Sequence, residues 1–351
     1  MTSKQVGHIV ENLGRLLLTA SLASVLLAPM AAVAQKPFSV QSRWTIGGEG
    51  GWDYLTADPG AHRVYITHGT RVEVVDTNSG KAIGSIDGLQ GIHGVALDNA
   101  GKFGYISDGR AGAVVVFDRA SLKTVASIPV GTNPDGIVFE PVTKTVWAFN
   151  GRSSNVSVID TAKRTVVATI ALPGKPEFPV ADGTGTIFDN IETKNSIVRL
   201  DAKSKTLTAT WPLKNCESPS GMAIDRTGHR LFTVCDGKTM NVVDSTSGKV
   251  LATPAIGDGP DAAGYDAAHK LAFSSNGDGT LTVIDASRSN YPVLQNLTTQ
   301  KGARTMSFDS GTGRVYLVTA QFGPRPAASA SNPRPRPAAV PGSFTVLVVG
   351  R

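Results

Sequence analysis

Seven positions, spaced 40, 42, 42, 43, 41 and 43 residues apart, carry Asp53, His93, Asp135, Glu177, Ser220, Asp261 and Arg304. All but Ser220 can ionise or bind a metal. Turn chemistry alone would favour Asn, Asp, Ser and Gly at such positions, without His, Glu or Arg. A second set at the same repeat holds His68, Asp108, Asn150, Glu192, Cys235, Asn276 and Thr319. The fourth member shifts if the turn before it is one residue shorter, as the aromatic Phe188 suggests, and Asn190 could then take the place of Glu192. Together the two sets offer carboxylate, imidazole and amide oxygen. Hard oxygen ligands suit Ca²⁺, and imidazole admits another divalent metal. Asp53, His68 and His93 are the first candidates for metal ligands.

Side chains that recur at this spacing must be positioned by a repeating element. The stretch SVIDTAKRTVVATI (157–170) has relatives in EVVDTNSGKAIGSI (73–86), VVFDRASLKTVASI (115–128) and NVVDSTSGKVLATP (241–254). Asp76, Asp118, Asp160, Asp201, Asp244 and Asp285 end strands at intervals of 41 to 43 residues. A further acidic column runs through Asp58, Asp98, Glu140, Asp182, Asp225, Asp266 and Asp309, five residues after each member of the first set. Short apolar runs rich in Val, Ile and Thr lie between turn residues, and no helical period is sustained after position 35. Seven units of about 42 residues, each of four short strands, predict an all-β, seven-bladed β-propeller. In unit three the strands are expected near 136–140, 144–150, 155–160 and 165–172. The last unit stops at SFTVLVVG (343–350), and SRWTIGG (42–48) resembles the fourth strands of the other units. The N-terminal strand is therefore expected to complete the last blade, which removes sheet edges.

In such blades, with strands a to d counted outward from the channel, the d–a and b–c connections share one face. Both polar columns are expected around one mouth of the channel. The acids that end strands a and c, Glu140 among them, read as turn residues that accept backbone N–H groups. His62, His229 and His269 fall in a–b turns and are expected to be exposed. NGDGT (276–280) imitates a calcium loop in part, but it lacks the bidentate Glu and reads better as a hairpin turn.

The runs VYITH (64–68), GYISD (104–108) and VWAFN (146–150), with KPEFPVADG (175–183) and CESPSGMAIDRTGHRLFTVC (216–235), resemble the YVTN-repeat, YncE-like propellers exported by bacteria. The resemblance covers essentially all of residues 38–351. It implies the fold and leaves the biochemical role open.

The start of the chain fits export. Lys4 and Arg15 precede an apolar run, Leu16–Leu27, and Ala32-Val33-Ala34 offers a cleavage site before Gln35. Residues 1–34 are thus expected to be a signal peptide and 35–351 a single propeller domain. An uncleaved anchor is the other reading, since the apolar stretch is nearly long enough to span a bilayer. Without residues 1–34 the chain has 32 basic and 27 acidic residues, a net +5 with no Lys/Arg block. Nucleic-acid binding is not expected. An exported protein would let Cys216 and Cys235 pair, since strands a and b bring both to one face. The segment QFGPRPAASASNPRPRPAAVPGS (321–343), between strands b and c of the last blade, holds six prolines and three arginines. It is expected to be extended or disordered and to lie on the mouth face.

The function expected from these features is a periplasmic or secreted, monomeric module that binds a small-molecule ligand or a protein partner at the mouth. The alternative, by fold analogy alone, is a Ca²⁺-dependent lactonase-like hydrolase with Glu177, Asn150 and Asp261 among its ligands. A haem or quinone propeller lacks support, because there is no C-x-x-C-H attachment. Nor is there a G-x-S-x-G, an H-E-x-x-H or a phosphate-binding glycine loop.

Overall fold

A computed structural model of the chain describes residues 36–351 apart from 328, 330–334 and 336. The signal peptide and the anchor read from residues 1–34 lie outside the described residues. Pro37–Arg351 form one compact unit of seven four-stranded antiparallel sheets. No helix among the described residues is long and apolar enough to cross a membrane.

Blade 1 runs Trp52–Asp58, Arg63–His68, Arg71–Asp76 and Ala82–Ile86 as strands a to d. Blade 3 runs Pro134–Glu140, Thr145–Asn150, Asn155–Asp160 and Thr165–Ala171, close to the intervals read from the sequence. Blade 7 takes Thr305–Asp309, Arg314–Thr319 and Thr345–Gly350 from the C-terminal part, and its outer strand is Ser39–Thr45. That strand pairs antiparallel with Thr345–Gly350. Phe38 is tied to blade 6, its N–H donating to Gln295 Oε1 at 2.9 Å and its carbonyl accepting from Gln295 Nε2 at 2.8 Å. The ring of blades thus closes through hydrogen bonds between residues some 300 apart in the chain.

Alternation along strand b explains the core. The third residue of each strand b is aromatic: Tyr65, Tyr105, Trp147, Phe188, Phe232, Phe273 and Tyr316, all of them buried. Each packs in a seam between adjacent sheets, as Trp147 does with Val158, Ile187 and Leu200 between blades 3 and 4. Burying one such ring contributes roughly 1.5–3 kcal/mol.

The two acidic columns are turn residues. Glu140 accepts from the N–H groups of Val142 and Thr143 at 2.9 and 2.7 Å. Asp76, Asp118 and Asp201 each accept from the N–H and hydroxyl of a serine three residues on. Asp58 and Asp98 also clamp the buried guanidinium of Arg119.

Cys216 and Cys235 form a disulfide. The two ends of the 321–343 insertion are more ordered than the sequence suggests. Phe322 and Ala339 form an antiparallel bridge, flanked by Gly323 N–H to Ala338 O and Val340 N–H to Gln321 O. The ladder forms because Gly323 and Val340 supply N–H groups that proline lacks.

Candidate functional site: the polar mouth

Strand a of most blades carries a bulge against strand b, and the first polar set sits in it. In blade 1 the pairing runs Trp52 with His68 and resumes at Leu55 with Ile66, leaving Asp53 out of the ladder. The same break follows Ile92, Pro134, Pro176, Pro219 and Pro260. A bulge re-aims the unpaired side chain. All seven members, Asp53, His93, Asp135, Glu177, Ser220, Asp261 and Arg304, line one open cavity of about 1270 Å³ at the channel mouth.

Neighbouring blades fix the backbone of these residues. Thr67 of blade 1 donates its hydroxyl to His93 O at 3.1 Å, and Ser107 of blade 2 donates to Asp135 O at 2.6 Å. Asn190 reaches Ser220 O, Ser275 reaches Arg304 O, and Thr305 closes the ring onto Asp53 O at 2.8 Å. Gly136, beside Asp135, lets the next strand approach; a Cβ there would lie 2.0 Å from Glu177 O. Beneath the mouth Tyr54 packs against Phe178 with ring centres 4.5 Å apart, and its hydroxyl donates to Asp261 O at 2.6 Å. These groups from blades 1, 4 and 6 meet across the channel and narrow it.

Three charge groupings stand around the ring. His93 Nδ1 lies 2.7 Å from Asp53 Oδ2 and 3.6 Å from Asp135 Oδ1. Lys175 Nζ bridges Glu177 at 2.5 Å and Glu192 at 2.6 Å. Arg304 pairs with Asp261 at 2.7 Å. Burial alone would depress the His93 pKa, but the Asp53 hydrogen bond and the surrounding carboxylates raise it to about 9. Burial, reinforced by Asp135, pushes Glu177 up to about 8. Burial likewise raises Asp261 to about 7 against the pull of Arg304. Asp135 is raised mainly by burial, with His93 opposing. The mouth thus holds more carboxylate than its cations fully compensate.

The second polar set behaves differently. Of its members, only Glu192 lines the cavity. His68, Asp108, Asn150 and Asn276 pair in the ladder with the residue before the bulge, and so face the sheet surface rather than the channel. His68 is buried, with Nδ1 3.4 Å from Glu73 and its ring stacked on Phe344 at 4.2 Å, which removes it from the metal set with Asp53 and His93. Asp108 accepts from the Gln90 N–H, Asn150 donates to Asn155 and Ser157, and Asn276 to Thr280 and Thr282. Asn150 is therefore not brought together with Glu177 and Asp261. Cys235, in the same column, is consumed by the disulfide. In blade 4 the equivalent of His68 is Ile191, because Phe188 is the third residue of that strand; Asn190 faces blade 5 and Glu192 begins the next turn. His62, His229 and His269 are exposed in turns. In NGDGT, Asp278 accepts from the Thr280 N–H within the hairpin turn and from the Asp258 N–H of the connection between blades 5 and 6.

Several lining residues were missed. Lys175, Asp236 and Lys301 stand outside the columns, and Phe322 and Arg325 come from the insertion. Asp189 is fully buried, and neither carboxylate oxygen has a hydrogen-bond partner among the described residues. Burial, with Glu177 and Asp135 nearby, holds its pKa well above the ordinary carboxylate range. Aligning strand b would have exposed it, since Ile66, Ile106, Ala148, Thr233, Ser274 and Leu317 occupy that position elsewhere and none of them ionises.

No family model and no curated protein matches the sequence. The fold is similar to solved propellers. A chain of Kuenenia stuttgartiensis hydrazine synthase aligns at TM-score 0.69 and 17% identity, over 77% of this chain and 92% of that one. U3-55K aligns at 0.72 and 10% identity, over 88% and 98%. The WD40 repeats of RRP9 align at 0.72 and 10%, over 89% and 97%. The chain has a seven-bladed β-propeller fold. At these identities the likeness concerns the fold alone.

Proposed function

We propose that the protein is an exported propeller of the YVTN-repeat type that binds a ligand bearing a cationic group, free or on a protein partner, in the channel mouth. One observation carries this reading. Among the described lining residues six are acidic, Asp53, Asp135, Glu177, Glu192, Asp236 and Asp261, against four Lys/Arg, Lys175, Lys301, Arg304 and Arg325. The chain as a whole is basic, at +6. With its acids ionised the mouth is opposite in sign to the rest of the molecule, and a bound cation favours that ionised state of Glu177 and Asp261, whose pKa values burial and neighbouring carboxylates raise to about 8 and 7. Its volume exceeds the roughly 300–1,000 Å³ usual for small-ligand sites and would admit a side chain presented by a partner. The disulfide is compatible with an oxidising compartment.

The test is thermal stabilisation of the mature protein by a polyamine, by citrate and by a neutral disaccharide. The polyamine alone should stabilise, less so at high salt, and not in the Asp135→Asn/Glu177→Gln variant. Stabilisation by citrate alone would overturn the reading.

A further inference from the structure

We propose that Asp53, His93 and Asp135 form a binding site for a first-row divalent transition ion, Zn²⁺ or Mn²⁺, within the mouth. This rests on the mouth being the binding site and names one cation that it takes. One ligand atom from each residue lies within 4.8 Å of the other two. A bound ion with bonds of about 2.0–2.2 Å would draw such atoms to roughly 3–3.5 Å from each other. Small side-chain rotations suffice, because His93 Nδ1 already stands 2.7 and 3.6 Å from the two carboxylates.

Charge singles out this trio. Glu177 and Glu192 share the single charge of Lys175, and Asp261 pairs with Arg304. Asp53 and Asp135 have no Lys or Arg partner among the described residues, and no described donor reaches the Asp135 carboxylate within hydrogen-bond distance. Once an ion displaces the His93 proton, two carboxylates with a neutral imidazole carry two negative charges, which a divalent ion balances.

The trio is also held in place. Hydroxyls of Thr305, Thr67 and Ser107 fix the carbonyls of Asp53, His93 and Asp135 in turn. The far edge of the imidazole lies over Gly109, where a Cβ would come 2.7 Å from Nε2. Glycine there makes room for the ring while Nδ1 faces the carboxylates. Preorganised ligands lose little entropy on binding. Ca²⁺ takes six to eight oxygens, whereas an imidazole favours Zn²⁺ and its neighbours. Three protein ligands leave the remaining positions to water or to an oxygen atom of whatever enters the mouth.

The experiment uses the mature protein stripped with chelator, then titrated with Zn²⁺, Mn²⁺ and Ca²⁺ separately by calorimetry, with metal content read by mass spectrometry after dialysis. One Zn²⁺ or Mn²⁺ per chain is expected, bound at least about tenfold more tightly than Ca²⁺. Asp135→Asn and His93→Gln should each weaken it by about 100-fold or more, beyond the 10- to 100-fold typical of outer-sphere changes. His68→Gln, outside the mouth, should stay within about threefold, and far-ultraviolet dichroism confirms that each variant is folded. Should His93→Gln fail to fold, Asp53→Asn replaces it. No bound ion, a preference for Ca²⁺, or affinity untouched by these substitutions would overturn the site. A native protein that binds no ion but is stabilised by polyamine sinks the metal site alone; one that responds to neither sinks the mouth as a binding site.

Discussion

His93 and Asp53 meet across the seam between blades 1 and 2, with Nδ1 2.7 Å from Oδ2. The contact joins residues 40 apart in sequence and sits one position inside the rim, on the bulge of each strand a. In metal-free protein it should be visible by titration. The His93 pKa stands at about 9 in the fold against an ordinary 6.5. A raised value means that the stabilisation is fully present below about pH 6.5 and is lost as pH climbs through 9. It is on the order of 3 kcal/mol. NMR should show one histidine titrating near 9, falling toward the ordinary value in Asp53→Asn. A native value near 6.5 would refute the contact.

Asp189 should be a liability to stability. Its carboxyl is buried without a partner, in the seam where Ile187 and Ile191 of the same strand face blade 3. Replacement by valine, close to it in shape and suited to a strand, should stabilise by about 1–3 kcal/mol. The raised pKa gives this gain a sign in pH. A protonated native carboxyl favours folding below its unfolded value of about 3.9, and the advantage fades as pH rises. Denaturant midpoints should therefore rise more for Asp189→Val at pH 8 than at pH 4. A lower midpoint at pH 8 would mean that the carboxyl has a role worth its burial.

The disulfide closes a loop with a sequence separation of 19 around strands a and b of blade 5. Loop closure of that length is worth about 3 kcal/mol, or roughly 5 °C in a chain of this size. Calorimetry of Cys216→Ser/Cys235→Ser should show this loss, with polyamine stabilisation retained because neither sulfur lines the mouth. An unchanged Tm would show that the unfolded chain gains nothing from the missing link.

The fold was legible because seven copies of one pattern reinforce each other: a slip in one blade, such as the shorter turn before Phe188, leaves six to set the register. The first polar column was legible for the same reason. The second was misplaced by a rule of alternation. His68 pairs with Trp52 and is buried against Phe344, whereas Asp53, one residue on and in the bulge, lines the cavity. A bulge that frees Asp53 leaves no trace in composition. Lys175 and Arg325 were out of reach because loops, not strands, deliver them. The shift from Glu192 to Ile191 follows from counting along strand b instead of from the acid before it.

Most of the hydroxyl and amide groups that hold the mouth belong to the blade before, and they grip the mouth's carbonyl oxygens: Thr67 holds His93, Ser107 holds Asp135 and Ser275 holds Arg304. A carbonyl is the same in every amino acid. The side chain carried at each of these stations can therefore be exchanged without undoing its own anchorage. Chemistry and architecture are written in separate alphabets here, and a lineage of such rings could trade one specificity for another by single substitutions, with the barrel of blades left as it stands.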